Sequence, residues 1–377
     1  MLQVCEKDRL WACRVWEKIK AKMSVQCERV GDRVLYIAMD GRYGDKMEEN
    51  IYWWCNGFWP GMLWLLYHDT GDTGYMKAAR GVEERLDAAL SGWEGLDHDL
   101  GFMWTLSAKL DFCLTGNPPS RVRALHAANL LAGRYNPRGR FIRAWNGEQI
   151  GWIIIDCMMN LPLLYWAGAE LGDPRFRYLA IDHTETALRH LLRQDGSCNH
   201  VAVLDPDNGN LLDTPGGQGY EAGSSWSRGQ AWALYGFALA LRHTGDERYG
   251  MAAKRVAHYF MSSLSLHGLV PPSDFRAPDE PKRIDTSAGM IGAAGLLCLA
   301  EQVGAAEQKL YLNSAVRILE TLEAGFCDWD VERDSIVQGG SVRYKEMPGQ
   351  QNVPLIYADY FFMEAVHKLI HPDFMVW

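Results

Sequence analysis

The 377-residue sequence has no apolar run long enough to cross a bilayer. Its longest such stretch, 289–300, falls short of the roughly 20 residues a spanning helix needs, so no membrane partner is expected. Positive charge is also in short supply. The 38 Lys and Arg against 47 Asp and Glu leave a net charge of −9. A surface that tracks phosphates needs a basic excess, which argues against nucleic acid but not against a small anion met by one local basic spot. No C-x-x-C, H-E-x-x-H, Walker loop or G-x-G-x-x-G occurs. The nine cysteines are scattered and odd in number, and read as reduced thiols rather than staples or zinc ligands. Glu6, Lys7, Asp8 and Arg9 stand where an export signal would place its apolar run, so a cytoplasmic location is expected. Aromatic residues, by contrast, are abundant. Fifteen Trp and 16 Tyr can fill cores, and can also make platforms for flat ligands and sugar rings.

A helical rhythm runs almost end to end. Apolar segments lead repeatedly into a turn glycine, at Gly71, Gly116, Gly172, Gly245 and Gly304, the first four followed by Asp or Asn. This reads as a helix, a glycine in the left-handed C′ position, an N-cap, then a second helix. Such a hairpin buries its apolar face only against neighbouring hairpins, so the products are an open solenoid or a closed toroid. Counting the N-terminal helix and the last one (358–369), the chain supplies the six hairpins of an all-α (α/α)6 barrel. Closure is favoured because the crossings into the inner helices (53–61, 96–104, 145–157, 199–232) are rich in Gly, Trp, His and Asp. In a barrel they gather at one mouth, where loops on a rigid scaffold carry function. No Pro/Ser-rich linker divides the chain, so residues 1–377 are expected to form one domain.

Three constellations could do chemistry. In I-I-I-D-C-M-M-N (153–160), Asp156 enters an otherwise apolar helix. A carboxylate there is costly to bury ionised, and an apolar wall would raise its pKa and suit it to general acid/base work. The bland alternative is a cap on the N–H groups of Met158 or Met159. In L-D-H-D-L-G-F (96–102), two acids flank His98: a metal site, a catalytic patch, or an N-cap before a helix starting at Gly101. No second His or Cys cluster of ligand spacing accompanies it, so no metal is expected. The third is S-S-W-S-R-G-Q-A-W (224–232), where Arg228 sits at a helix start against the dipole's preference. A carboxylate opposite would explain it. Trp226, Arg228 and Trp232 make either a stacking and anion-binding patch or a core with a structural ion pair. Trp54, Trp59, Trp145, His200 and Gln218 are individually weak signals.

Taken together, N-G-F-W-P-G-M-L-W (56–64), L-D-H-D-L-G-F (96–102), I-I-I-D-C-M-M-N-L-P-L-L (153–164), D-P-D-N-G-N (205–210) and S-W-S-R-G-Q-A-W (225–232) resemble the unsaturated glucuronyl hydrolases, glycoside hydrolase family 88. The resemblance runs from about Trp53 to the C-terminus, with 1–50 matching only loosely. It implies removal of a 4,5-unsaturated uronic acid from lyase-generated oligosaccharides by hydration of the C4=C5 enol ether, with a small oligosaccharide as partner and no cofactor. Asp156 matches the general acid and base, and Asp99 the second aspartate. Trp54, His98, Trp145, His200, Gln218, Arg228 and Trp232 match positions around the sugar. Relatives that prefer sulfated fragments carry a late Ser-x-x-Ser-x-Lys run. Here Q-G-G-S-V-R (338–343) keeps Ser341 and a basic residue, so Ser341, Arg343 and Lys345 are expected to meet an anionic second sugar. The rivals are an unsaturated rhamnogalacturonyl hydrolase acting on pectin fragments, an epimerase using His98 and His200, and a non-catalytic carbohydrate-binding toroid. Nothing in the sequence specifies the oligomeric state.

Overall fold

The computed structural model describes residues 2–345 and 347–377. Besides a single turn at Lys46–Glu49, twelve helices among the described residues build it: α1 (Glu6–Val30), α2 (Phe58–Thr70), α3 (Thr73–Ser91), α4 (100–115, with one π-helical turn at Thr105–Lys109), α5 (Pro118–Ala132) and α6 (Pro162–Leu171); then α7 (Pro174–His190), α8 (Ser227–Thr244), α9 (Glu247–Ser265), α10 (Thr286–Ala300), α11 (Ala305–Phe326) and α12 (Ile356–Ile370). The sequences divide them into two rings. α10 carries no charged residue and is buried along its whole length, as α8 is from Ser227 to Leu241. α9 buries only Tyr249, Gly250, Ala252, Ala253, Val256, Ala257, Phe260 and Leu264, the 3–4 spacing of a helix with one face in water. Each fully buried Leu or Ile contributes about 2 kcal/mol, so the more apolar helices take the inside.

The inner ring runs α2, α4, α6, α8, α10, α12 and closes where α12 packs on α2. Five inner helices have the following helix as outer partner. The sixth pair joins the chain's two ends, with α1 packed on α12. The expected (α/α)6 barrel is present, and the closed form excludes the solenoid. Gly71, Gly116, Gly172 and Gly245 adopt the left-handed conformation at helix ends, as expected. Gly304 does not: α10 ends at Glu301 without a left-handed residue, and Gly304 is the extended N-cap of α11. No helix among the described residues is long and apolar enough to cross a membrane.

The mouth is not purely helical. β1 (Trp152–Ile154), β2 (Val201–Leu204) and β3 (Leu211–Asp213) form an antiparallel sheet, with Ile154 opposite Val201. This corrects the reading of 153–160 as helix. The β-branched run Ile153–Ile154 packs better in a strand, and Asp156 follows on a 3₁₀ turn, Ile155–Met159, that leads into α6.

Candidate active site

Asp156 owes its position to the sheet. The Ile155 N–H donates to the His200 carbonyl at 3.0 Å, continuing the β1–β2 ladder and bringing the two side chains face to face. His200 Nε2 lies 3.4 Å from Asp156 Oδ2. His200 Nδ1 accepts from the Gln218 N–H at 3.0 Å, so the ring proton sits on Nε2, the nitrogen on the carboxylate side, although Nε2 and Asp156 Oδ2 are not hydrogen-bonded to each other. Among the described residues no bond runs from the Met158 or Met159 N–H to the Asp156 side chain, whose Oδ2 is buried without a partner. The capping reading is set aside, and the side chain is free to meet a ligand.

A second His–Asp pair mirrors the first. His98 Nε2 lies 3.6 Å from Asp99 Oδ2. The Asn160 side-chain amide reaches His98 Nδ1 at 3.3 Å and Asp99 Oδ1 at 3.2 Å, while its oxygen accepts the Phe102 N–H at 2.7 Å. Asn160 thus holds the start of α4 and both residues of the pair. Burial, then the neighbouring charges of Asp97 and Asp156, push the Asp99 carboxyl well above the usual range. Burial likewise raises Asp97 to about 6. His98 is driven far down by burial and stays neutral. Fully buried behind Asp99, it does not line the cleft. The structure therefore makes His98 a support for Asp99 rather than a sugar contact, which removes one of the two histidines an epimerase would use.

These groups line a cleft of about 710 Å³ at the mouth, within the range that encloses a small ligand. Trp54, Trp145, Asp99, Asp156, His200, Gln218, Arg228 and Arg343 all reach it. Trp232 does not: it is buried against Phe102 and Phe361 in the barrel core, because the first turn of α8 carries it one layer below Arg228. Ser341 and Lys345 are also outside the lining. The Ser341 hydroxyl is buried and donates to the Ile284 carbonyl, and Lys345 is exposed. Arg343 lines the cleft with its Nε buried and free of any hydrogen bond.

Arg228 combines both roles weighed for it. Its guanidinium lines the cleft over Trp226 (4.5 Å) and Tyr357 (5.2 Å). Its terminal nitrogens are taken by Asp285, by the Ser341 carbonyl at 2.6 Å and by the Val342 carbonyl at 2.5 Å. Asp285 is the carboxylate opposite that its position called for. With its fork engaged, Arg228 presents a stacked cationic face rather than a free pair of donors. Gln218 is similarly occupied, its amide donating to the Val342 carbonyl at 2.7 Å. Its contribution is to orient His200 and hold the 342 loop.

Several lining residues carried no sequence signal of their own: Tyr36, Tyr52, Trp53, Gln149 and Tyr357. They come from the segment before α2, the loop before β1 and the first turn of α12. Of these only Trp53 adjoins a recognised motif. The N-terminal ends of α2, α4, α8 and α12 all border the cleft, and their partial positive charges favour an anionic ligand.

Gly217 guards the geometry of His200. Its φ is +61°, and a Cβ there would lie 2.1 Å from His200 Nδ1. Gly217→Ala is expected to turn the imidazole away from Asp156 and lower kcat by about 10²-fold, with a far smaller change in melting temperature. Equal losses in activity and folded fraction would instead mark Gly217 as purely architectural.

The Glycosyl Hydrolase Family 88 model matches residues 27–264, beginning upstream of the first recognised motif. The chain is 36% identical over 351 residues to an unsaturated glucuronyl hydrolase of Bacillus sp. strain GL1, covering 91% of this chain and 92% of that one. It is 38% identical over 325 residues to an unsaturated chondroitin disaccharide hydrolase of Streptococcus pyogenes serotype M1, covering 83% and 80%. The crystal structure of the unsaturated glucuronyl hydrolase from Bacillus sp. GL1 superposes with a TM-score of 0.87 at 35% identity, over 93% of this chain and 96% of that one. With the family model spanning more than half of the chain and full-length relatives above 30% identity, the protein belongs to glycoside hydrolase family 88.

Proposed function

We propose that this enzyme removes the non-reducing 4,5-unsaturated glucuronic acid from glycosaminoglycan-type disaccharides released by lyases. The observation that carries the reading is Asp156, set on a 3₁₀ turn at the cleft floor and faced by the Nε2–H of His200. In the reaction the Asp156 carboxyl gives its proton to C4. Water then bonds to C5 and returns a proton to the Asp156 carboxylate, regenerating the acid. The hemiketal formed at C5 opens, releasing the second sugar and a keto-uronic acid. One acid/base carboxyl suffices, unlike the two-carboxylate schemes of ordinary glycosidases. His200 Nε2, 3.4 Å from Asp156 Oδ2, needs only a small turn of the ring to donate a hydrogen bond to the carboxylate left after C4 is protonated. Trp54 and Trp145 offer faces for the sugar rings. Arg228 and the helix N-termini favour the uronate, and Arg343 faces the second sugar.

The test follows loss of the ultraviolet absorbance of the C=C–carboxylate chromophore in unsaturated chondroitin and hyaluronan disaccharides, sulfated and unsulfated. Loss on these supports the reading. Loss only on unsaturated rhamnogalacturonan fragments would overturn it in favour of a pectin-degrading role.

Asp99 enters this scheme as a neutral neighbour. Its folded pKa is raised, so the folded state holds a proton that the unfolded chain releases near pH 4. Over the window above that value, stability contributed by the site falls as pH rises, because ionising the buried Asp99 is unfavourable, the more so beside Asp97 and Asp156. Asp99→Asn is therefore expected to be more stable than wild type at neutral pH, by a margin that shrinks toward pH 4, while losing activity. Melting curves from pH 4 to 8 check it, and a margin independent of pH would contradict it.

A further inference from the structure

At the opposite end of the barrel from the cleft, three histidines converge. His68 and the adjacent Asp69 lie in the last turn of α2, His367 in the last turn of α12, and His371 just beyond it. His68 Nδ1 is 3.0 Å from His367 Nε2, and one ligand nitrogen from each of the three rings lies within 4.8 Å of the others. The ring centroids are 5.0, 5.2 and 4.5 Å apart. Three imidazoles on a tetrahedral metal, with metal–nitrogen bonds of about 2.0–2.1 Å, place their nitrogens roughly 3.4 Å and their centroids about 5 Å apart. The observed triangle is within a small side-chain adjustment of that arrangement.

We propose that His68, His367 and His371 form a binding site for a divalent transition metal such as Zn²⁺, which clasps the seam of the barrel. The donor chemistry fits. His367 is buried and His68 and His371 are half-buried, so an ion held among them would be largely shielded from water, and imidazole nitrogens are ordinary ligands for such a metal. Asp69 Oδ1 lies 2.8 Å from His371 Nε2. Carboxylates so placed in zinc sites either orient a histidine or complete the shell. The other Asp69 oxygen accepts from Trp16 Nε1 of α1 at 2.9 Å and lies 3.6 Å from Lys20 Nζ. The cluster thus ties together α1, α2 and α12, the three helices at which the two ends of the chain meet. The expectation of no metal rested on spacing along the chain. His68 and His367 are 299 residues apart, and only barrel closure makes them neighbours.

The role is structural, since about 15 Å of α2 separates His68 from the cleft end at Phe58. The test uses the full-length protein, stripped with EDTA and gel-filtered, then titrated with Co²⁺ and Zn²⁺. Wild type is expected to bind one equivalent of Co²⁺ with the visible bands of a low-coordinate nitrogen site. Zn²⁺ is expected to raise its melting temperature by about 3 °C at a hundredfold excess over Kd. His371→Ala, which leaves the His68–His367 pair intact, and His68→Ala should both lose these responses, with kcat/KM on the disaccharide unchanged. The nine thiols could bind metal elsewhere, so the variants decide the matter. No saturable metal response in wild type, or the same response in both variants, would overturn the site.

Discussion

Asp156→Asn is expected to lower kcat by about 10³-fold while leaving disaccharide affinity within a few-fold of wild type. The substitution preserves shape and keeps an oxygen beside His200 Nε2. The amide can neither protonate C4 nor take a proton from the water that adds at C5. The loss should therefore fall on turnover rather than binding. Trp54 and Trp145 line the cleft, so quenching of tryptophan fluorescence reports affinity directly, and decay of the substrate chromophore reports turnover. A kcat reduced less than tenfold would remove Asp156 from the acid/base role and move attention to Asp99.

The largest stability effect should come from Asp285→Ala. Asp285 and Arg228 are both almost completely buried and bonded to each other. Asp285 Oδ1 also accepts from the Ser287 N–H at 3.2 Å, the Ser287 hydroxyl at 2.5 Å and the Ser341 N–H at 3.3 Å. Deleting the carboxylate strands a buried guanidinium and uncaps α10. Breaking such a pair costs about 3–5 kcal/mol, which for a chain of this length lowers the melting temperature by about 4–6 °C. The double variant Arg228→Met/Asp285→Leu removes both charges and should recover much of that loss, though not activity, because the cationic face in the cleft is gone. If the single and double variants were equally unstable, packing rather than the stranded charge would be the cause.

Much of the candidate site was legible because its residues sit in contiguous motifs: His98 with Asp99, Asp156 within its Ile run, Trp226 with Arg228. The errors have a common origin in local reasoning. The Ile run suggested an apolar helix, whereas pairing with Val201–Leu204 made it a strand. Trp232 lies four residues beyond Arg228, one helical turn, and a turn was enough to take it from the cleft into the core. Arg228 signalled a carboxylate without saying which. Its partner is 57 residues away at the start of the next inner helix.

The periodicity, the turn glycines and the apolar inner helices by themselves determined a stack of six helical hairpins, because each hairpin buries its apolar face only against its neighbours, and they left closure into a barrel as the favoured of two arrangements. The motifs determined which carboxylates stand at the mouth. What only the tertiary structure decided are the relations between distant segments: Asp156 facing His200, Asn160 bridging His98 and Asp99, α1 completing the ring beside α12, and His68 meeting His367. Each depends on closure of the ring, which brings together residues whose separation in sequence exceeds the reach of any local pattern.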